Sequence, residues 1–128
     1  MPDIRVGLVA EATVVVDKGL LATTVGSGDV PVYATPAMVA LMETAAVDAL
    51  APSLAEGQSS VGISLDIRHL AATPPGRQVR ARAEVIEVEG NKVVFQVQAW
   101  DHAELIGKGT HTRFVIDMAR FMQRVQAK

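Results

Sequence analysis

Ala34-Thr35-Pro36-Ala37-Met38-Val39-Ala40-Leu41-Met42-Glu43-Thr44-Ala45-Ala46-Val47 is the stretch on which the reading of the fold turns. Thr35 reads as a helix N-cap and Pro36 as the first helical residue, where the N–H that proline lacks has no helical partner to lose. The helix runs to about Leu50 and stops near Pro52. It is apolar on nearly every side, and such a helix belongs inside a protein. One residue breaks the pattern. Glu43 has Val39, Ala40, Ala46 and Val47 as its i±3 and i±4 neighbours, which predicts a carboxylate held away from water. A buried charge is costly without a partner, so an acid in such a place is a candidate for chemistry. The competing reading puts Glu43 on the solvated stripe of a one-sided helix.

Outward from this helix the chain reads as β-structure. Glu11 to Asp17 is dominated by β-branched residues and predicts a strand. Residues 26–29 form a Gly/Ser-rich loop, and Val30 to Tyr33 is extended because proline disfavours helical geometry in the residue before it. Beyond the helix, Ser60 to Ala71 is a strand ended by Thr73-Pro74-Pro75-Gly76, whose Pro-Gly pair suits a type II turn. Val79 to Val88 alternates, with Val79, Ala81, Ala83 and Val85 on one face and Arg80, Arg82 and Glu84 on the other. The Val85-Ile86 pair breaks that alternation and marks a bulge. Glu89-Gly90-Asn91-Lys92 is a hairpin turn. Val93 to Trp100 pairs back, and Leu105 to Ile116 makes a last long strand. Asp117 then caps a short helix with Met118, Phe121, Met122 and Val125 on its inner face.

The resulting fold class is α+β of the hot-dog type: one antiparallel sheet wrapped around a long central helix, with a short C-terminal helix. The 128 residues make a single domain over 1–128, large enough for a real core. One helix on one sheet leaves helix surface and a sheet edge uncovered, so a homodimer is expected, with dimers pairing into tetramers as a further option.

Composition excludes several classes. A formal net charge of −2 gives no electrostatic case for nucleic acid or an anionic membrane. No apolar run reaches the roughly 18 residues that a spanning helix needs. Met1-Pro2-Asp3-Ile4-Arg5 lacks the charged-then-apolar order of a signal peptide. The chain has no cysteine, hence no disulfide, thiol nucleophile or thiolate metal site, which fits the cytoplasm. Its three histidines are scattered without ligand spacing, so no metal is expected.

Besides Glu43, the candidate chemistry falls to His69, Thr35 and Gly62. His69 ends a strand just before the Pro-Pro-Gly corner, a place where a scaffold fixes a side chain while leaving one side open. A hydrogen-bonded structural histidine is the alternative. His111 shares the strand face of Arg113, opposite Thr110, Thr112 and Phe114, and reads as structural or as a dimer contact. His102 lies in a polar turn and reads as solvated. Thr35 caps the central helix, and a hydroxyl there sits where free N–H groups can meet a carbonyl or thioester oxygen. Gly62 offers a backbone N–H that a ligand can approach closely, or simply relieves strand crowding.

Tyr33 to Glu43, Ser60-Val61-Gly62, His69 to Gly76 and Gly107 to Arg113 together resemble the hot-dog thioesterases typified by fluoroacetyl-CoA thioesterase. The likeness runs from Arg5-Val6-Gly7 to the C-terminal helix. It implies an acyl-CoA thioesterase with no cofactor beyond the coenzyme A of its substrate. It implies catalytic roles for Thr35, Glu43 and His69, a Gly62 amide that polarises the thioester carbonyl, and support from Arg113. The fluoroacetyl-specific enzyme carries a longer, aromatic-rich lid before the helix. Here that segment is the short Thr24 to Val30 with no aromatic before Tyr33, which implies a more open acyl pocket.

Glu43 would act as general base or attacking carboxylate, Thr35 as nucleophile or as the group that positions water, and His69 as proton carrier. Thr35 and Glu43 are eight residues apart, about 12 Å along a helix, so Glu43 is expected to meet Thr35 of a second subunit. Arg68, Arg77, Arg80 and Arg82 are candidates for the CoA phosphates, against a reading as solvated strand charge. An acyl-CoA-binding module without turnover and a hot-dog hydratase or dehydratase are the alternatives. The chain lacks an Asp-x-x-x-x-His segment of the hydratase type.

Overall fold

Residues 3–128 are described by the computed structural model; Met1 and Pro2, part of the N-terminal reading above, lie outside it. The main elements follow in the order β1 (Val9–Val15), α1 (Ala22–Val25), α2 (Thr35–Leu50), β2 (Gln58–His69), β3 (Gln78–Glu89), β4 (Lys92–Trp100), β5 (Leu105–Asp117) and α3 (Met118–Gln126). The strands form one antiparallel sheet in the order β1-β3-β4-β5-β2. Among the described residues no helix is long and apolar enough to cross a membrane.

Strict alternation sets the inner face. Val79, Ala81, Ala83 and Val85 of β3 and Val93, Phe95, Val97 and Ala99 of β4 are all fully buried. They pack with Met38, Met42, Ala45, Ala46 and Leu50 of α2 in one apolar cluster. Small side chains let sheet and helix approach closely. A Cβ at Gly107 of β5 would stand 2.5 Å from Met38 Sδ, so any other residue there would have to displace that methionine. Burial of each large side chain contributes about 1.5–3 kcal/mol.

The turns follow the residues. The β3–β4 hairpin turns at Gly90 with φ of 60°, and the Pro75-Gly76 corner places Gly76 at φ of 89°. Register shifts between Val85 and Glu87, where the broken alternation predicts a bulge. A second shift lies between Gly62 and Ser64 on β2.

Two local expectations need correction. Ala34, not Thr35, is the N-cap of α2; Thr35 begins the helix and makes no cap bond. Residues 22–25, to which the sequence pattern assigns no element, form a helical turn closed by Gly26. Asp117 does cap α3, its carboxylate accepting from the Arg120 N–H, but the apolar face of that helix stays largely open, with Met118 half exposed and Met122 and Val125 close behind. The α2 helix has an open stripe too. Val47 keeps 42% of its surface, and Ala40, Thr44 and Asp48 are exposed beside it. β2 is an edge strand of 12 residues whose free side carries no partner among the described residues.

Candidate active site

The start of α2 is fixed by three backbone bonds. The Tyr33 N–H donates to the Thr73 carbonyl (2.9 Å), the Ala34 N–H to the Leu20 carbonyl (2.9 Å) and the Ala22 N–H to the Val32 carbonyl (2.8 Å), the last two making the bridge between Leu21 and Tyr33. Thr73 is itself buried and donates its hydroxyl to Asp101 (2.8 Å), whose other oxygen accepts from the Ala103 and Glu104 amides. Opposite, the Leu70 N–H donates to the Ile106 carbonyl (2.7 Å) and pins the end of β2. These constraints bring Thr35 and His69, 34 residues apart, into contact: Thr35 Oγ1 lies 2.7 Å from His69 Nδ1. A hydroxyl on an imidazole is the arrangement that activates an alcohol as nucleophile. Because Thr35 is not spent on capping, its hydroxyl is free for this bond.

The pair opens on a groove of about 370 Å³ lined by Ala22, Ser27, Val32, Tyr33, Leu70 and Ala71 beside Thr35 and His69. Tyr33 is the one aromatic residue in that lining. Burial pushes the His69 pKa below the usual 6.5, opposed by the nearby Ala71 backbone. Its Nε2 is buried and has no hydrogen-bond partner among the described residues. The Tyr33 hydroxyl is also buried without a partner, and desolvation pushes its pKa up to about 12.

Glu43 lies elsewhere. Its Oε2 accepts from Arg113 Nη1 at 3.0 Å and is 3.7 Å from His111 Nε2. The floor beneath it is Gly62. A Cβ there would stand 2.6 Å from Glu43 Oε2 and 3.1 Å from His111 Cε1, so a bare Cα is what admits the carboxylate. Arg113 is buried and further anchored on β2, donating from Nε to Ser60 Oγ (2.8 Å) and from Nη2 to the Ser60 carbonyl (3.0 Å). The expectation of a dry Glu43 fails for the single chain, where the side chain is 36% exposed. The physical reason is its position on the stripe of α2 that no element of the same chain covers.

The predicted residues thus fall into two groups. Thr35 meets His69, and Glu43 meets Gly62 and Arg113. The two groups do not touch within one chain. His111, read from sequence as structural, is fully buried beside Glu43; its shared strand face with Arg113 was the available signal. Of the candidate phosphate contacts, Arg80 pairs with Glu11 and covers Trp100 at 4.5 Å, and Arg82 pairs with Glu84. Arg68 lines a shallow outer groove with Lys108 and Thr110. No group of three or more His, Asp or Glu able to hold a metal ion occurs among the described residues.

The curled antiparallel sheet around a long helix is a hot-dog fold, and relatives place the chain among the thioester hydrolases that share it. The chain belongs to the fluoroacetyl-CoA-specific thioesterase family, whose sequence model matches residues 16–119. It is 45% identical over 97 residues to the fluoroacetyl-CoA thioesterase of Streptantibioticus cattleyicolor, spanning 76% of this chain and 70% of that protein. A solved structure of the fluoroacetyl-CoA thioesterase FlK superposes with a TM-score of 0.93 at 37% identity, over 99% of this chain and 98% of that one. A hypothetical protein of Thermus thermophilus, described as a thioesterase superfamily member, gives 0.85 at 34% identity over the full length of both.

Proposed function

We propose that this enzyme hydrolyses small or medium acyl-CoA thioesters at a site shared by two chains of a homodimer. Thr35 and His69 come from one protomer and Glu43, held by Arg113, from its partner. One observation carries this reading. Each half is assembled within a single chain, at 2.7 Å and 3.0 Å, yet neither contains the other's reacting groups. The open stripe of α2 and the free edge of β2 are the surfaces a second copy would cover.

In this mechanism the acyl group occupies the groove beside Tyr33 and Ala71. His69 accepts the Thr35 proton as the hydroxyl oxygen bonds to the thioester carbon. The C–S bond breaks, and the proton passes from His69 to the departing CoA thiolate. The partner's Glu43 then deprotonates the water that hydrolyses the Thr35 ester to free acid and restores the hydroxyl. The Gly62 N–H serves the developing oxyanion. The adjacent bulge interrupts the strand ladder between Gly62 and Ser64, which favours that role, as bulges re-aim backbone groups beside sites. The groove is lined mostly by small side chains, which supports an open acyl pocket. Structures of FlK variants with acetyl-CoA and with fluoroacetate and CoA make both acyl groups suitable probes. A cytoplasmic setting remains part of the proposal.

The test is release of free thiol from acetyl-, fluoroacetyl-, branched and aromatic acyl-CoAs. Turnover of one or more, lost in Thr35→Ala and Glu43→Gln, is expected. Tight acyl-CoA binding without thiol release would mark a binding module instead, and water addition to an enoyl-CoA a hydratase.

A further inference from the structure

We infer that His111 is a positioning residue, a neutral imidazole that aims the Arg113 guanidinium at Glu43. The inference rests on the reading of Glu43 as an acting group. Hydrogen-bond logic assigns the imidazole. His111 Nδ1 lies 2.9 Å from the Ser64 carbonyl oxygen, which can only accept, so Nδ1 carries the proton. Nε2 is then a lone pair, and it faces Arg113 Nη1 at 3.1 Å, which can only donate.

The two Nη1 protons therefore have separate destinations, one to His111 Nε2 and one to Glu43 Oε2 at 3.0 Å. With Nε bound to Ser60 Oγ and Nη2 to the Ser60 carbonyl, four of the five guanidinium protons are committed. Without the His111 acceptor, Nη1 keeps one partner and the fork is free to swing. Glu43 is the partner that would feel this. Of the three ionisable side chains in the cluster, it is the one on α2 and the one with open surface.

The groups that face His111 are few. β2 presents the Ser64 carbonyl, β4 the stacked Phe95 ring at 6.1 Å, β5 Arg113 and α2 Glu43. An imidazolium here would point an Nε2–H at an arginine N–H. Burial, first, and the Arg113 charge both push the His111 pKa below its ordinary value, against the opposing Ser64 bond and Glu43. The neutral form is the one the surroundings hold.

The variants separate the two bonds. His111→Gln places an amide oxygen near the Nε2 position and keeps an acceptor for Arg113. His111→Asn can keep the Ser64 bond alone, and His111→Phe keeps only the ring. Nitrogen NMR of the wild-type protein is expected to show Nδ1–H with Nε2 bare at pH 7. Resolved, slowly rotating Arg113 Nη protons should collapse in His111→Phe and His111→Asn and return in His111→Gln. With acetyl-CoA, kcat should fall by about tenfold in His111→Phe at nearly constant KM, since small misplacements of a reacting group cost rate. That loss should vanish in an Arg113→Met background. An Nε2–H tautomer or an imidazolium at pH 7 overturns the inference, as does a folded His111→Phe protein with unchanged Arg113 signals. If the wild-type protein turns over no acyl-CoA, the thioesterase reading fails, while the NMR results still decide the role of His111. If His111→Phe does not fold, the wild-type tautomer and the Gln–Asn contrast decide it.

Discussion

Thr35 and Glu43 belong to the same helix and to two differently built places. At the helix start, a threonine hydroxyl meets an imidazole whose far nitrogen is buried beside a groove of about 370 Å³. Two turns on, a carboxylate rests on a glycine and an arginine that is tied to β2 and to a second histidine. The first place is a proton-transfer pair with room for an acyl group. The second is a charged network with almost no freedom and an open side. Each has what the other lacks, and two copies of the chain would bring them together.

Removing a reacting group should break the comparison most severely. Glu43→Gln and Thr35→Ala are each expected to lower kcat by about 10²–10⁴-fold, the usual range for loss of a positioned base or its partner. Steady-state thiol release measures this, and equal activity in either variant contradicts the assignment of that residue. Next comes Gly62→Ala. Its Cβ would stand 2.6 Å from Glu43 Oε2, so the carboxylate must move. A loss of about 10²-fold in kcat with little change in thermal midpoint is expected, and a crystal structure of the variant should show Glu43 displaced.

The pH profile sharpens the contrast. His69 has a pKa below the ordinary 6.5, so it stays neutral and able to accept a proton at pH 6.5 and above. The acid limb of kcat should therefore fall below pH 6.5, and His69→Asn should remove that limb along with most activity. Stability follows the same sign. Both His69 and His111 have lowered values in the folded protein, so the unfolded chain binds more protons below about pH 6.5. Stability is fully present above that pH and is lost as pH falls through the folded values. Urea melts from pH 8 to 5 should show this decline, shallower in His111→Gln. The smallest effect is expected away from both places. The Arg80–Glu11 pair is 45% exposed on each side, and Arg80→Ala should cost less than about 1 kcal/mol and leave kcat unchanged.

Much of the sheet was legible because alternation reports burial directly. Val79 to Val85 read correctly for that reason, and the Val85-Ile86 break gave the bulge. The start of α2 was misread by one residue because Thr-Pro is a good cap signal by itself. What the signal lacks is the bond from Thr35 to His69, which involves a residue 34 positions away. Likewise Glu43 looked buried because its helical neighbours are apolar, yet its cover depends on what lies across the helix. Periodicity put His111 and Arg113 on one face but could not show Ser60, Ser64 and Gly62 converging there from β2. Local patterns state which side of an element is inside. They do not state which distant side chains meet there.

The most direct test mixes two damaged chains, one carrying Glu43→Ala and the other Thr35→Ala, and isolates the mixed pair. A site divided between protomers predicts that one of the two sites is whole and the other doubly defective, with about half of wild-type activity per pair. Activity no higher than that of either parent variant would contradict the shared site.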